Sequence, residues 1–245
     1  MIKLILLEAE KYKRTSIYPV SIGAMLLPLV FTFFSYFSGN MFSEQNWGTY
    51  LTSLNLFYGI FLSALLPSFV AIFAVYQELK TGTIKSALFS GRSRMKIISA
   101  KIAFVSLYVI LLYAVSAVLA VASGMILGFE TAISALVQSF ASIALVGVCA
   151  ALFAPLMIYL TLLFKNFVAP LIIAFFGTIG TIVLINIGNA FYYPWLLPAN
   201  IFFRFISEGA ISVWPPIIVF AVYFLIFSLL GISYFVRMDI DNKVG

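Results

Sequence analysis

Few residues in this chain are able to do chemistry. There are eight Asp and Glu, fourteen Lys and Arg, one cysteine (Cys149) and no histidine. Without imidazole the usual metal and nucleophile sites cannot be built. No acid or base lies near the middle of an apolar stretch, which weighs against a proton- or ion-driven carrier, although hydroxyls and backbone can still hold an ion. No convergent set of Asp, Glu, His or Ser-Lys points to a membrane protease or transferase. Cys149 has no base nearby in sequence, so inert packing is its expected role, and a lone cysteine cannot form an internal disulfide. A GxxxxGK[ST] phosphate loop is missing, so any ATP that powers the chain is bound by another polypeptide.

The densest polar chemistry lies in residues 77–101, QELKTGTIKSALFSGRSRMKIISAK. Lys80, Lys85, Arg92, Arg94, Lys96 and Lys101 gather there with a single acid, Glu78. Gly82 permits a sharp turn and Thr83 can cap a following helix. Ile84, Ala87 and Leu88 recur at three- and four-residue steps, giving one apolar face, while Lys85 points elsewhere. Gly91 ends that short helix. Two interpretations stand side by side. The helix lies parallel to the membrane and docks in a groove on a soluble partner. Alternatively, the bases anchor the topology and the apolar face lies on lipid.

The elements that carry this loop follow from composition. The chain has 245 residues, 64% hydrophobic and 9% charged, with 26 Phe, 13 Tyr and 3 Trp. Its mean hydropathy is +1.15. Soluble domains carry roughly 25% charged residues, so an all-α, polytopic membrane protein is expected, in one domain over residues 1–245. Residues 2–14 read as an interfacial helix with Ile2, Ile5, Leu6, Ala9 and Tyr12 on its apolar face and Lys3, Glu10, Lys11 and Arg14 opposite; a basic anchor before the first span is the alternative. Six spans are predicted, at about 17–37, 54–76, 102–127, 135–164, 167–187 and 214–236. The fourth is long enough to tilt or break near Pro155. Gly124 and Gly128 have a small-xxx-small spacing, and Gly177, Thr178, Gly180 and Thr181 form a small-residue patch. That patch suits either a subunit interface or packing inside one subunit. Residues 200–211 can form a short helix with Arg204 and Glu208 paired at i, i+4.

Charge orients the whole. With the N-terminus inside, every one of the 14 basic residues except Arg204 falls on the inner side. The three tryptophans, Trp47, Trp195 and Trp214, fall at outer positions, where indoles settle at headgroup level. Both termini are therefore expected in the cytoplasm, and no cleavable signal peptide is predicted.

Glu78-x-x-x-Gly82-Thr83-Ile84-Lys85, followed by Ser93-Arg94 and Lys101, resembles the E-x-x-x-G-T-x-K/R…S/P-R…K pattern of type-2 ABC exporter permeases. It sits between the second and third of six spans, as in that family. The opening EAEKYKR resembles an E-x-x-K-x-K/R start found in small permeases of bacteriocin self-immunity and peptide export. Gly91-Arg92 departs from the proline of many relatives. The resemblance implies a bacterial cytoplasmic membrane protein, no enzyme, paired with a second permease of the same or a related kind. A separate ATPase subunit would hold ATP and Mg and grip the loop helix at about residues 83–90. Glu78 would secure the end of the second span by pairing with a base or with backbone amides. No cofactor on this chain and no nucleic-acid partner are expected. Export of amphipathic or antimicrobial peptides is the first expectation. Export of lipids or small drugs, an ATP-independent carrier and a partner-binding membrane protein are the alternatives.

Overall fold

In the computed structural model, residues 1–13, 15–39, 46–84, 93–129, 132–185, 193–207 and 214–238 are described, and every structural statement below concerns these. Ten α-helices follow one another: α1 (Ile2–Tyr12), α2 (Ile17–Phe37), α3 (Trp47–Asn55), α4 (Ser63–Thr81), α5 (Arg94–Ile126), α6 (Ile133–Ala151), α7 (Phe153–Phe164), α8 (Val168–Leu184), α9 (Leu197–Ser207) and α10 (Trp214–Arg237). A π-helical stretch, Leu56–Leu62, joins α3 to α4.

Five of the resulting rods are long and apolar enough to cross a membrane: Ile17–Phe37, Trp47–Thr81, Arg94–Ile126, Ile133–Phe164 and Trp214–Arg237. α8 has 17 residues, roughly 25 Å at the α-helical rise, somewhat short of the ~30 Å apolar core. The six-span count thus depends on this helix and on residues 186–187, which lie outside the described part.

Local chemistry sets the boundaries. The rod that begins near residue 54 by hydropathy in fact starts at Trp47, because the Asn46 side chain accepts the Thr49 backbone N–H at 3.0 Å and caps it. Its polar residues do not break the helix, since Thr52 Oγ1 donates to Gly48 O at 2.8 Å and Ser53 Oγ to Thr49 O at 2.9 Å. The expected break in the fourth span falls at Leu152, between α6 and α7. Pro155 has no N–H to give the Ala151 carbonyl four residues back. Ser106 Oγ, from α5, donates to that carbonyl instead at 3.2 Å. Lys165 closes α7 in the left-handed conformation, φ 48°.

α4 forms the centre of the bundle, packed on α5, α7 and α8, while α5 and α6 run against each other. Close approach there is made at Gly147, where a Cβ would overlap Tyr113. Gly124 and Gly128 serve different ends. Trp47 lays its ring on Gly124, and Gly128 turns the chain at φ +84°. Tyr58 donates to Met25 O at 2.8 Å and Tyr113 to Tyr58 O at 2.9 Å, so the π stretch is pinned to α2 and α5 by buried phenols.

Candidate functional site

At the end of the bundle where α4 stops and α5 begins, four charged side chains from three helices converge. α1 contributes Glu8 and Lys11, α4 contributes Glu78, and α5 contributes Lys101. Lys101 is 2% exposed, Glu8 5% and Glu78 6%. Lys101 Nζ donates to Glu8 Oε2 at 2.7 Å and to Glu78 Oε1 at 2.9 Å. It also reaches Tyr12 Oη at 3.2 Å and Ala74 O at 3.3 Å. Lys11 Nζ lies 2.5 Å from Glu8 Oε1 and 2.9 Å from Glu78 Oε1. Two acids and two bases make the group neutral, which is what allows it to be buried at all.

Tyr12 completes the joint. Its hydroxyl donates to Ala74 O at 2.9 Å, its ring stacks on Phe104 at 5.5 Å, and the Lys101 ammonium sits 5.8 Å from its centroid. Burial pushes the Tyr12 phenol well above its ordinary value, against the opposing pull of Lys101. The phenol therefore keeps its proton and remains a donor to α4. Tyr18 donates to Ala9 O at 2.8 Å and fastens α1 to α2 as well.

The apolar face expected on α1 divides between two neighbours. Ile2 and Leu6, assigned to its apolar side, are 76% and 59% exposed, while Glu8 and Tyr12 are buried. Ile5 and Ala9 pack partly against the core. An interfacial helix has two apolar neighbours, lipid and protein. Here the protein side is chosen by the ion pairs, and the greasier side faces outward.

Of the loop residues singled out from sequence, Glu78 and Lys101 meet directly. Gly82 ends α4 in the left-handed conformation, φ +70°. Thr83 shares a hydrogen bond with the Thr81 hydroxyl at 2.9 Å, and Ile84 is buried. Lys85, Ala87, Leu88 and Arg92, with most of the expected docking helix, lie outside the described residues, as does Glu208. Arg94 turns toward the protein: its Nη1 donates to Val236 O at 3.2 Å and to Met238 O at 2.8 Å, capping the end of α10. Ser93 caps α5 through the Lys96 backbone N–H at 3.4 Å. Both roots of the loop are thus held, one by Glu78 and the other by Arg94.

The small-residue patch on α8 is occupied from within the chain. A Cβ on Gly177 would overlap the Trp195 indole, and one on Gly180 would come within 2.7 Å of the Tyr193 hydroxyl. Tyr193 donates to Gly177 O at 3.0 Å. Thr178 and Thr181 are buried, donating to Ala174 O at 2.9 Å and Gly177 O at 3.3 Å.

Sequence reasoning missed Glu8 and Lys11 as partners of the loop. The signal present was their i, i+3 spacing on a helix beside the membrane. The cluster ties three helices together, and among the described residues no group of three or more His, Cys, Asp and Glu converges to hold a metal ion.

The family model described as ABC-2 family transporter protein matches residues 4–181. That stretch contains the whole cluster, both loop roots and the patch on α8. Neither a curated protein nor a solved structure matches. A helical bundle with rods long and apolar enough to cross a membrane, tied by buried ion pairs at the roots of a basic loop, agrees with that match over most of its length: the chain belongs to the ABC-2 family of transporter proteins.

Proposed function

We propose that the chain is the membrane subunit of an ATP-driven exporter of amphipathic or antimicrobial peptides, serving self-immunity or toxin export. A separate ATPase, carrying ATP and Mg, grips the loop after Thr81, and a second permease completes the pathway. The observation that carries this is the Lys101 cluster. A pull on the loop is transmitted through Glu78 and Lys101 to α1, α4 and α5 together, because the charges cannot be separated without stranding one in an apolar setting. Such a joint suits a subunit moved by an external motor. The cavity of about 420 Å³ between α2, α4 and α8 is walled by Leu62, Leu66, Phe69, Leu171 and Phe175. An apolar wall of this kind suits amphipathic cargo better than sugars.

Co-purification tests the reading. The tagged permease, expressed with its neighbouring genes, is expected to bring down an ATPase. Glu78→Ala and Leu88→Asp are expected to release it or to uncouple ATP hydrolysis from transport. Recovery of the permease without any ATPase overturns the proposal. A small toxic peptide encoded next to it would identify the cargo.

A further inference from the structure

At the other end of the bundle, the seam between α2 and α3 opens into a second cavity of about 420 Å³. Its lining includes hydroxyls from both helices: Thr32 and Ser35 on α2, Thr52 and Ser53 on α3. Phe31 and Phe57 also line it and meet edge to face, with centroids 5.8 Å apart. Ser35 Oγ donates to Phe31 O at 2.8 Å, Thr52 Oγ1 to Gly48 O at 2.8 Å and Ser53 Oγ to Thr49 O at 2.9 Å. Those protons are committed, so each oxygen offers the cavity only lone pairs. Thr32 is 2% exposed, and its Oγ1 has no partner among the described residues. A buried hydroxyl left unpaired is costly. No acid or base is among the described lining residues.

A ligand suited to this wall brings hydrogen-bond donors and needs no counter-charge. Depth narrows the class further. The cavity adjoins the start of α3 at Trp47, and indoles favour the headgroup level. Phe31, Thr52 and Leu56 beside it are exposed, so it opens on the flank of the bundle.

We infer that this cavity binds the head group of a zwitterionic aminophospholipid, its primary ammonium donating to the Thr and Ser oxygens. The rings of Phe31 and Phe57 flank the head group, and the wall includes Thr32, whose hydroxyl has no partner among the described residues. Lipid is favoured over a lysine-rich peptide because, among the described residues, no carboxylate lines the cavity to neutralise a peptide's excess charge.

Phosphatidylethanolamine and phosphatidylcholine have the same net charge, but the methylated head group has no N–H. Native mass spectrometry of the purified chain, titrated with each, is expected to show roughly fivefold tighter binding of phosphatidylethanolamine, the worth of about one net hydrogen bond. Thr32→Val and Thr52→Val keep the shape and remove acceptors, and each is expected to erase most of that preference. Thr52 is exposed, so Thr52→Val serves even where Thr32→Val fails to fold. Equal binding of the two lipids, or a preference that survives both variants, overturns the inference. Displacement of phosphatidylethanolamine by a lysine-rich amphipathic peptide at equal concentration overturns the assignment to lipid.

Discussion

Moving an ammonium from water into an apolar interior costs several kcal/mol even after relaxation, and Lys101 offsets this with four acceptors on two other helices. The two lysines of the cluster differ in how far they depend on it. Lys101 is buried, whereas the Lys11 side chain is 42% exposed and can fall back on water. Lys101→Met should therefore destabilise by about 3–5 kcal/mol, the range for stranding a buried partner charge. Lys11→Gln should cost about 1 kcal/mol or less, as partly exposed pairs do. Unfolding midpoints in detergent, read on both variants, check the order. The double variant Glu78→Leu/Lys101→Met should recover much of the loss, since removing both charges leaves fewer unpaired; Glu8 is then satisfied by Lys11 alone. Recovery would show that the single-variant loss is an unpaired-charge penalty and not lost packing. Glu78 and Lys101 were legible as a pattern in the loop. Their partnership with Glu8 was not: Glu8 lies 93 positions from Lys101, and periodicity reports on one helix at a time.

Among the elements, the rod from Trp47 to Thr81 carries the most information. One end holds Asn46 and the hydroxyl-lined cavity, and the other holds Glu78, with the π stretch between. A π turn carries an extra residue, and such turns are frequent at functional sites. Gly59 sits inside it. A Cβ there would overlap the Asn55 carboxamide and lie 3.4 Å from the Ala199 Cα. Asn55 is 1% exposed, and neither end of its amide has a partner among the described residues. Gly59→Ala should thus destabilise by about 1–3 kcal/mol through overpacking. Asn55→Ala in the same chain should relieve most of that, and a double-mutant cycle on thermal unfolding reads the coupling. By contrast, Asn55→Leu fills the same space without an orphan amide and should raise the unfolding midpoint. Hydropathy could place this rod but not its interruptions. In the separate rod Ile133–Phe164, Pro155 is visible in the sequence, yet the break three residues earlier goes with Ser106 reaching Ala151 from another helix. The start at Trp47 was hidden because capping and hydroxyl-to-carbonyl bonds make polar residues helical without making them apolar.

For the molecule as a whole, orientation is the property on which the motor proposal stands. Basic residues crowd one end of the rods, and the loop they form must face the compartment that holds ATP. The chain is well suited to measuring this. Its single cysteine, Cys149, is buried at 3% exposure, so the native protein should react little with maleimide and needs no cysteine-free background. Met95 is 54% and Trp214 62% exposed; each lies at the start of its rod, and the predicted topology puts the two starts on opposite sides of the membrane. In intact cells, Trp214→Cys should react with a membrane-impermeant maleimide and Met95→Cys should not. In inside-out vesicles the order should reverse. The same count of basic residues that favours this orientation is sequence-legible, because it needs no knowledge of which helices touch. Labelling of Met95→Cys from outside would put the loop beyond the reach of any cytoplasmic ATPase. The Lys101 cluster would then be a structural clasp with nothing to pull on it, while the family membership and the lipid cavity would stand unaffected.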